Sequence, residues 1–272
     1  MFNVVAASCE TMPTVPEIMA RERDGPPITM LTAYDKSIAE IADAAGIDIV
    51  LVGDSVGNTV LGYETTLPVT IEEMISHTAA VVRGVKEALV VTDLPFLSVG
   101  VDESVSIMNA GKMLKMGGAD AVKIESGPHT ISITKRLVDL GIPVMAHVGL
   151  VPQRIRQIGG YYQQGADESS ALEIMELAKE HENAGAFAIV LEHMPADIAK
   201  NITEQLEIPT IGIGAGSHTR GQVLVVDDVI GLSNSLPPFA RKFGDVRTEM
   251  SNAIKKYREE VISRKFPPED MD

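Results

Sequence analysis

Acidic residues and a histidine follow a series of short apolar segments in this chain. Asp54, Asp93, Glu125 and Glu192 each stand at or just after the end of such a segment, and His147 ends another. Segments of this kind are typical of buried parallel strands. The carboxyl ends of parallel strands in an α/β fold meet on one face, where ligands bind. Acids gathered there repel one another unless a cation or a proton compensates, so the pattern predicts a divalent metal and acid–base chemistry.

Two of these acids are the strongest candidates for metal ligands. Asp54 and Asp93 end neighbouring predicted strands, and Glu125 ends the next one. Two carboxylates with open positions for water and substrate suit Mg²⁺, a hard cation that proteins seldom enclose fully. The alternative is that each aspartate only caps the turn after its strand. We favour the magnesium site, with Glu125 close enough to reach a hydrated ion through water.

Three further side chains at these strand ends could act on a substrate. Lys123 shares a strand face with Glu125, and a lysine in this place needs an anionic partner, which is either Glu125 or a substrate carboxylate or enolate. Glu192 is a candidate proton acceptor, or else a simple rim carboxylate. His147 could donate a hydrogen bond to a substrate oxygen, or be structural. The histidines form no HxH or HExxH pattern, which argues against zinc.

Strands and helices alternate along the chain and would position these residues. Thr14 and Glu17 form a capping-box pattern that predicts a short N-terminal helix to about residue 24. The predicted strands are residues 28–33, 47–53, 88–93, 121–125, 143–147, 188–192 and 210–213. The predicted helices are residues 36–45, 70–85, 102–116, 129–140, 168–183, 196–206 and 246–264. A long polar loop covers about 150–167, and the eighth unit is predicted as a helix at 222–226 and a short strand at 229–230.

This alternation predicts the fold class. Strands that alternate with helices imply a parallel sheet, and eight units favour a closed (β/α)8 TIM barrel. No linker interrupts the 272 residues, so we expect a single domain over 1–272, with 1–13 as a loose arm. The alternative is an open doubly wound sheet. Against it, the segment Gly212–Gly216 has the spacing GxGxG and lacks the GxGxxG fingerprint of dinucleotide binding.

The composition limits the possible partners and the compartment. The chain is 45% hydrophobic and 22% charged, as in ordinary globular proteins. A net charge of −15 argues against a nucleic-acid partner or an anionic membrane surface. Cys9 is the only cysteine, so an internal disulfide is impossible. We expect no signal peptide and no membrane span, and therefore a cytoplasmic protein that acts on small molecules.

Seven motifs in a fixed order point to one family. They are Thr32-Ala33-Tyr34-Asp35, Leu51-Val52-Gly53-Asp54-Ser55, Leu67-Pro68-Val69-Thr70, Asp93-Leu94-Pro95-Phe96, Val122-Lys123-Ile124-Glu125, Gly159-Gly160-Tyr161 and Gly212-Ile213-Gly214-Ala215-Gly216. With them the sequence resembles the ketopantoate (3-methyl-2-oxobutanoate) hydroxymethyltransferases from about residue 28 to 245. The resemblance implies a phosphoenolpyruvate/pyruvate-type barrel and a homo-oligomer, which in this family is a decamer built as a pentamer of dimers.

The resemblance also implies a reaction and a set of site residues. The enzyme would transfer a hydroxymethyl group from 5,10-methylenetetrahydrofolate to 3-methyl-2-oxobutanoate, forming 2-dehydropantoate in pantothenate biosynthesis. Asp54 and Asp93 match the Mg²⁺ ligands, with Glu125 in the ion's sphere, and Glu192 matches the proton acceptor. The positions that match the family's keto-acid contacts are Asp54, Ser55, Asp93 and Lys123.

The chain departs from the family pattern at four positions. Tyr162 and Ala166 stand where the family usually has Lys and Arg, Arg220 replaces an Asp, and Pro238 replaces a Lys. These changes affect positions that the resemblance assigns to folate binding and to anion binding by the 150–167 loop. They leave the predicted metal and base residues unchanged.

The sequence alone is also compatible with two other functions. A related Mg²⁺-dependent lyase or mutase could act on another 2-oxo acid, but such lyases commonly carry an active-site cysteine, and Cys9 lies outside the barrel pattern. A non-catalytic barrel could serve as a scaffold. The complete set of acids, lysine and candidate base argues against that possibility.

Overall fold

The computed structural model describes residues 13–21, 23 and 25–268. The loose arm predicted over 1–13 therefore lies almost entirely outside the described residues. Residues up to Leu224 form one compact unit, and residues from Val225 form a second. The expected single domain stays a prediction.

The first unit is a closed barrel of eight parallel strands. Each strand pairs with the next along the chain, and the last pairs with the first. The strands are β1 (Ile28–Thr32), β2 (Ile49–Val52), β3 (Leu89–Asp93), β4 (Ala121–Glu125), β5 (Val144–Gly149), β6 (Ala188–Glu192), β7 (Thr210–Ile213) and β8 (Gly221–Leu224). The predicted (β/α)8 barrel is confirmed.

Helices connect the strands, as the sequence pattern predicts. They are α1 (Val15–Ala20), α2 (Lys36–Ala44), α3 (Val56–Thr59), α4 (Ile71–Val82), α5 (Glu103–Lys112), α6 (Ile131–Asp139), α7 (Ile155–Ile158), α8 (Glu168–Asn183) and α9 (Ala196–Gln205). Thr14 and Glu17 form the predicted capping box of α1. A π-helical turn, Met113–Gly117, extends α5, and a 3₁₀ turn, Pro152–Arg154, precedes α7. The predicted polar loop over 150–167 is thus partly helical. No helix in the described part of the chain is long and apolar enough to cross a membrane.

Apolar side chains fill the barrel and fix the strands against one another. The interior cluster joins alternate residues of the strands, such as Met30 of β1 and Val91 of β3, with Ile18 of α1. Ile18 belongs to a helix that precedes β1, so it packs at the amino-terminal end of the strands. Each large buried side chain stabilises the fold by about 1.5–3 kcal/mol. The opposite, carboxyl-terminal end is left for polar groups.

The prediction for the eighth unit was wrong. Residues 221–224 form strand β8, and the following helix α10 is Val226–Val229. Gly221 explains the strand, because a Cβ on this residue would lie 2.6 Å from the carbonyl oxygen of Ile28. Only glycine lets β8 approach β1 this closely and close the barrel. The second unit contains α10 and the long helix α11 (Val246–Ile262), which the sequence predicted as 246–264.

Candidate active site

The inward-facing rows of four strands change from apolar to polar near their carboxyl ends. Two residues after a member of the interior cluster, each strand presents a polar side chain to the same end of the barrel. These polar side chains are Asp93, Lys123, His147 and Glu192, which follow Val91, Ala121, Met145 and Val190. Alternation along a strand therefore places all four at one mouth.

Asp54 joins this group from the turn after β2. The strand ends at Val52, so Asp54 lies two residues beyond it. Its backbone N–H donates a hydrogen bond to Asp93 Oδ2 at 3.0 Å, and both aspartates are buried. The two carboxylates predicted as metal ligands therefore lie side by side at the same mouth.

Lys123 forms an ion pair with Asp93. Its Nζ lies 2.7 Å from Asp93 Oδ1, and the side chains are only 7% and 4% exposed. Burial by itself would lower the pKa of Lys123, but the carboxylates of Asp93, Asp54 and Glu125 outweigh it and raise the pKa above its usual value. From the sequence alone, Glu125 is the candidate protein partner of Lys123. The structure pairs it with Asp93 because these two residues face each other in the β3–β4 register.

The carboxyl groups at this mouth carry more negative charge than Lys123 can neutralise. Burial, and then the neighbouring Asp93, raises the pKa of Asp54 to about 7. Burial, and then Asp54, raises the pKa of Glu125 well above its usual value. Such shifts mean that the folded protein would gain from a cation placed among these groups. The donor set therefore fits a divalent ion.

The arrangement of the donors also fits the kind of ion predicted. Within residues 13–21, 23 and 25–268, no cluster of three or more His, Cys, Asp or Glu side chains is arranged to enclose a metal ion. A cation held by Asp54 and Asp93 would keep positions for water and substrate, as Mg²⁺ commonly does. Glu125 accepts hydrogen bonds from the backbone N–H of Gln153 at 3.0 and 3.3 Å, which suits contact with such an ion through water.

Gln153 is a residue of this mouth that the sequence did not predict. Its side-chain Nε2 donates to Asp54 Oδ2 at 2.9 Å and to the carbonyl oxygen of Leu94 at 3.1 Å. The residue lies in the 3₁₀ turn after β5. No rule based on acids at strand ends could have identified a neutral amide in a loop.

Glu192 and His147 contact each other at the mouth. Glu192 Oε2 lies 3.1 Å from His147 Nε2. Burial, and then the charge of Lys123, lowers the pKa of His147, so the imidazole is neutral near pH 7.

Gly149 lets the chain after β5 pass close to the backbone of Glu192. The φ of Gly149 is +94°, and a Cβ on this residue would lie 2.2 Å from the Glu192 carbonyl oxygen. Leu150 N–H donates to that oxygen at 2.8 Å.

Two tyrosines border the same mouth. Tyr34 Oη and Ser55 Oγ share a hydrogen bond of 2.8 Å, which orients the predicted substrate-binding serine. Burial and the charges of Asp54, Glu192 and Glu125 raise the pKa of Tyr161. The Tyr161 side chain is 53% exposed, so its ring stands at the edge of the mouth within reach of these charges. The Gly-Gly-Tyr motif was the only sequence signal for this residue.

The departures from the family pattern lie in different places. Tyr162 is exposed on the same loop as Tyr161. Ala166 lines a separate cavity of about 370 Å³ at the start of α8 and α9. Arg220 precedes β8, and its guanidinium donates to the carbonyl oxygens of Glu207 and Arg21. Arg220 is therefore a structural residue at the amino-terminal end of the barrel, far from the acids of the mouth.

Comparison with known proteins agrees with this fold and chemistry. The family model described as "Ketopantoate hydroxymethyltransferase" matches residues 12–269. A 3-methyl-2-oxobutanoate hydroxymethyltransferase from Natronomonas pharaonis is 60% identical over 254 residues, which cover 93% of this chain and 94% of the relative.

Solved structures of lower identity share the barrel. A 2,3-dimethylmalate lyase, a member of the PEP mutase/isocitrate lyase superfamily, has a TM-score of 0.56 at 15% identity and covers 90% of this chain and 83% of its own. A phosphonopyruvate hydrolase solved with oxalate and Mg²⁺ has a TM-score of 0.56 at 13% identity, with coverage of 90% and 85%. They share the eight-stranded barrel fold with this chain. By its match over nearly the whole length, the chain belongs to the ketopantoate hydroxymethyltransferase family of transferases.

Proposed function

We propose that this chain transfers a hydroxymethyl group from 5,10-methylenetetrahydrofolate to 3-methyl-2-oxobutanoate. The products are 2-dehydropantoate and tetrahydrofolate, with one water taken up, as a step of pantothenate biosynthesis. Membership of the family and the name of the Natronomonas relative support the reaction. The observation that carries the mechanism is the carboxylate of Glu192, in contact with His147, at the same mouth as the Lys123–Asp93 ion pair.

Asp54 and Asp93 would hold a magnesium ion, and Glu125 would contact it through water. The excess of buried carboxylates over Lys123 supports a cation in this place. The related barrel of phosphonopyruvate hydrolase was solved with Mg²⁺, which is consistent with the proposal. When bound, the ion would supply Lewis-acid polarisation of the keto acid and make the hydrogen on its C3 atom more acidic.

Glu192 would remove that hydrogen. Its Oε2 lies 3.1 Å from His147 Nε2, so the carboxylate stands at the mouth, where it would take the proton. Because His147 is neutral, it orients Glu192 without neutralising it.

Lys123 and Ser55 would bind the keto acid. Lys123 keeps its charge because three carboxylates raise its pKa, so it stabilises the negative charge that develops on the substrate. Ser55 is oriented by Tyr34 and would donate to a substrate oxygen. Tyr161, at the edge of the mouth, would help exclude water when the co-substrate enters. The C3 atom of the substrate then bonds to the one-carbon unit, whose bonds to the two folate nitrogens break, and water supplies the hydroxyl group of the product.

A half-reaction tests this assignment. The protein is incubated with 3-methyl-2-oxobutanoate in D₂O, without folate, and loss of the C3 proton is followed by NMR. We expect exchange that requires Mg²⁺ and that falls by about 100-fold or more in Glu192→Gln. Glu173→Gln is the matched control, because Glu173 is exposed on α8.

The alternatives give different results in the same experiment. Exchange that survives Glu192→Gln would remove Glu192 from the base role. Absence of exchange, with or without folate, would favour a non-catalytic scaffold. Addition of 5,10-methylenetetrahydrofolate then separates the transferase from a related lyase or mutase, because only the transferase forms 2-dehydropantoate.

We also propose that the chain forms a homo-oligomer. Met250, Ile254, Tyr257 and Val261 lie on one face of α11 and are 43–64% exposed. Such an apolar stripe on a charged helix usually packs against a partner. Analytical ultracentrifugation should give a mass above the 29.1 kDa of one chain. The cytoplasmic location stays a prediction.

A further inference from the structure

Gln153 connects three strand ends that carry the acids of the mouth. Its backbone N–H donates to Glu125 at the end of β4, and its side chain donates to Asp54 after β2. The same side-chain nitrogen donates to the carbonyl oxygen of Leu94, the residue after Asp93.

The amide geometry leaves one oxygen of Asp54 available. A primary amide has two N–H groups, and both are used, by Asp54 Oδ2 and by Leu94 O. Asp54 Oδ1 accepts no hydrogen bond from the described residues. Gln153 thus holds Oδ2 of Asp54 in place, and Oδ1 takes part in neither bond.

The turn that carries Gln153 is itself fixed. Val151 and Ile155, on either side of the 3₁₀ turn, are buried, and Pro152 restricts the first position of the turn. Leu150 N–H is bonded to the carbonyl oxygen of Glu192. The side chain of Gln153 therefore starts from an anchored backbone, as orientation of a ligand residue requires.

The neutral charge of this side chain matters. A lysine or arginine could make similar hydrogen bonds to Asp54 but would add a second positive charge beside Lys123. That charge would compete with a divalent cation for the carboxylates. An amide orients the carboxylate and leaves its negative charge for the ion.

We propose that Gln153 is a positioning residue for the cation site, which orients Asp54 for metal binding through its side-chain amide. The inference rests on the proposed function, since it requires a metal at Asp54 and Asp93. Hydrogen-bond partners of metal ligands commonly contribute 10- to 100-fold in metal affinity. Gln153 should therefore act on metal affinity and leave the proton-transfer step itself largely intact.

The test is a titration with Mn²⁺ in the absence of substrate, followed by the EPR signal of free Mn²⁺. Gln153→Met keeps the length of the side chain and the backbone N–H but removes both side-chain donors. We expect its Kd for Mn²⁺ to rise about 10-fold. Gln157→Met is the matched control, because Gln157 is an exposed residue of α7, and its Kd should not change.

A second readout separates positioning from general damage. In the D₂O exchange assay, Gln153→Met should need about 10-fold more Mg²⁺ for half-maximal exchange, while the rate at saturating Mg²⁺ changes less than two-fold. In Gln153→Asn the side chain is one methylene too short to reach Asp54, so this variant should show the same rise in the Mg²⁺ requirement and the same small change in rate. Should Gln153→Met not fold, as judged by circular dichroism, the Asn variant decides the result.

The outcomes distinguish this inference from the proposed function. If the unsubstituted protein binds Mn²⁺, Asp54→Asn does not, and the Gln153 variants bind as tightly as the unsubstituted protein, the positioning role is wrong and the metal site stands. A loss of maximal exchange rate without a change in metal affinity would also overturn the role. If the unsubstituted protein binds no Mn²⁺, the metal site is wrong and the role of Gln153 is overturned with it.

Discussion

Buried aspartates occur at both ends of the barrel, but their surroundings differ. At the amino-terminal end, Asp43 accepts hydrogen bonds from the backbone N–H groups of Lys86, Glu87 and Ala88 at 3.0, 2.9 and 2.8 Å. At the carboxyl-terminal end, Asp54 accepts only the side-chain amide of Gln153 among the described residues. The first carboxylate is saturated by its own chain, and the second is not.

The charges at the two ends follow the same division. Burial favours a raised pKa for Asp48, at the amino-terminal end, but hydrogen bonds from Arg21 and Thr29 outweigh burial and lower it. At the other end, burial and Asp93 raise the pKa of Asp54 to about 7. Saturated acids stabilise the fold, whereas under-satisfied acids cost stability and gain it back only with a ligand. In Asp43 and Asp48 the hydrogen bonds of the chain itself satisfy the carboxylate, whereas Asp54 is left for a ligand.

The largest expected effect comes from Asp54→Asn. The variant should lose Mg²⁺-dependent D₂O exchange by about 100-fold or more, because a metal ligand is removed. In EDTA, however, it should be more stable than the unsubstituted protein at pH 8. The unfolded chain loses the Asp54 proton near pH 4, whereas the folded protein keeps it up to about pH 7, so the fold is progressively destabilised across this interval, by up to about 4 kcal/mol.

Thermal melting in EDTA from pH 5 to pH 8 measures this effect. The gap between Asp54→Asn and the unsubstituted protein should widen from pH 5 to about pH 7 and then stay constant to pH 8. If the variant melts below the unsubstituted protein at pH 8, the prediction is wrong, because the Asp54 carboxylate would then stabilise the fold as that of Asp43 does.

The second largest effect is expected at Asp43, where substitution should lower stability and leave activity nearly unchanged. Asp43→Ala removes the acceptor of three backbone N–H groups, which should cost about 3 kcal/mol in the free energy of unfolding. Urea denaturation measures the loss. D₂O exchange per folded molecule should stay within about two-fold, since Asp43 lies at the end of the barrel opposite the mouth. Lost exchange with unchanged stability would contradict the assignment.

The sequence predicted that Asp54 and Asp93 lie at the same end of the barrel, because both follow apolar segments typical of strands. Asp48 fell inside the predicted strand 47–53, and only the structure places it before β2. The helix α8 was predicted with its observed bounds, Glu168–Asn183, because its cap and its terminal glycine mark both ends.

Contacts that depend on strand register and on loop paths could not be predicted. The pairing of Lys123 with Asp93 follows from the β3–β4 register, which no local pattern encodes. Gln153 reaches Asp54 across 99 positions of sequence from a loop. Strand β8 was missed because its defining feature, the close approach of Gly221 to Ile28, exists only in the closed barrel.

The smallest expected effect concerns His181, a buried group near the carboxyl end of α8. Its Nδ1 lies 3.1 Å from Thr134 Oγ1, but Nε2 has no partner among the described residues, and burial lowers the pKa of His181 to about 4. An unfolded histidine titrates near 6.5. Between these values the unfolded chain binds more protons, so this contribution to stability is lost as the pH falls below about 6.5.

His181→Gln should remove that dependence. The free energy of unfolding of the unsubstituted protein, relative to that of the variant, should fall by about 2 kcal/mol between pH 7 and pH 5. Urea titrations of both proteins at the two pH values measure the difference, and effects of Asp54 and Glu125 cancel because both proteins contain them. A constant difference would mean that the buried imidazole gains its proton without cost.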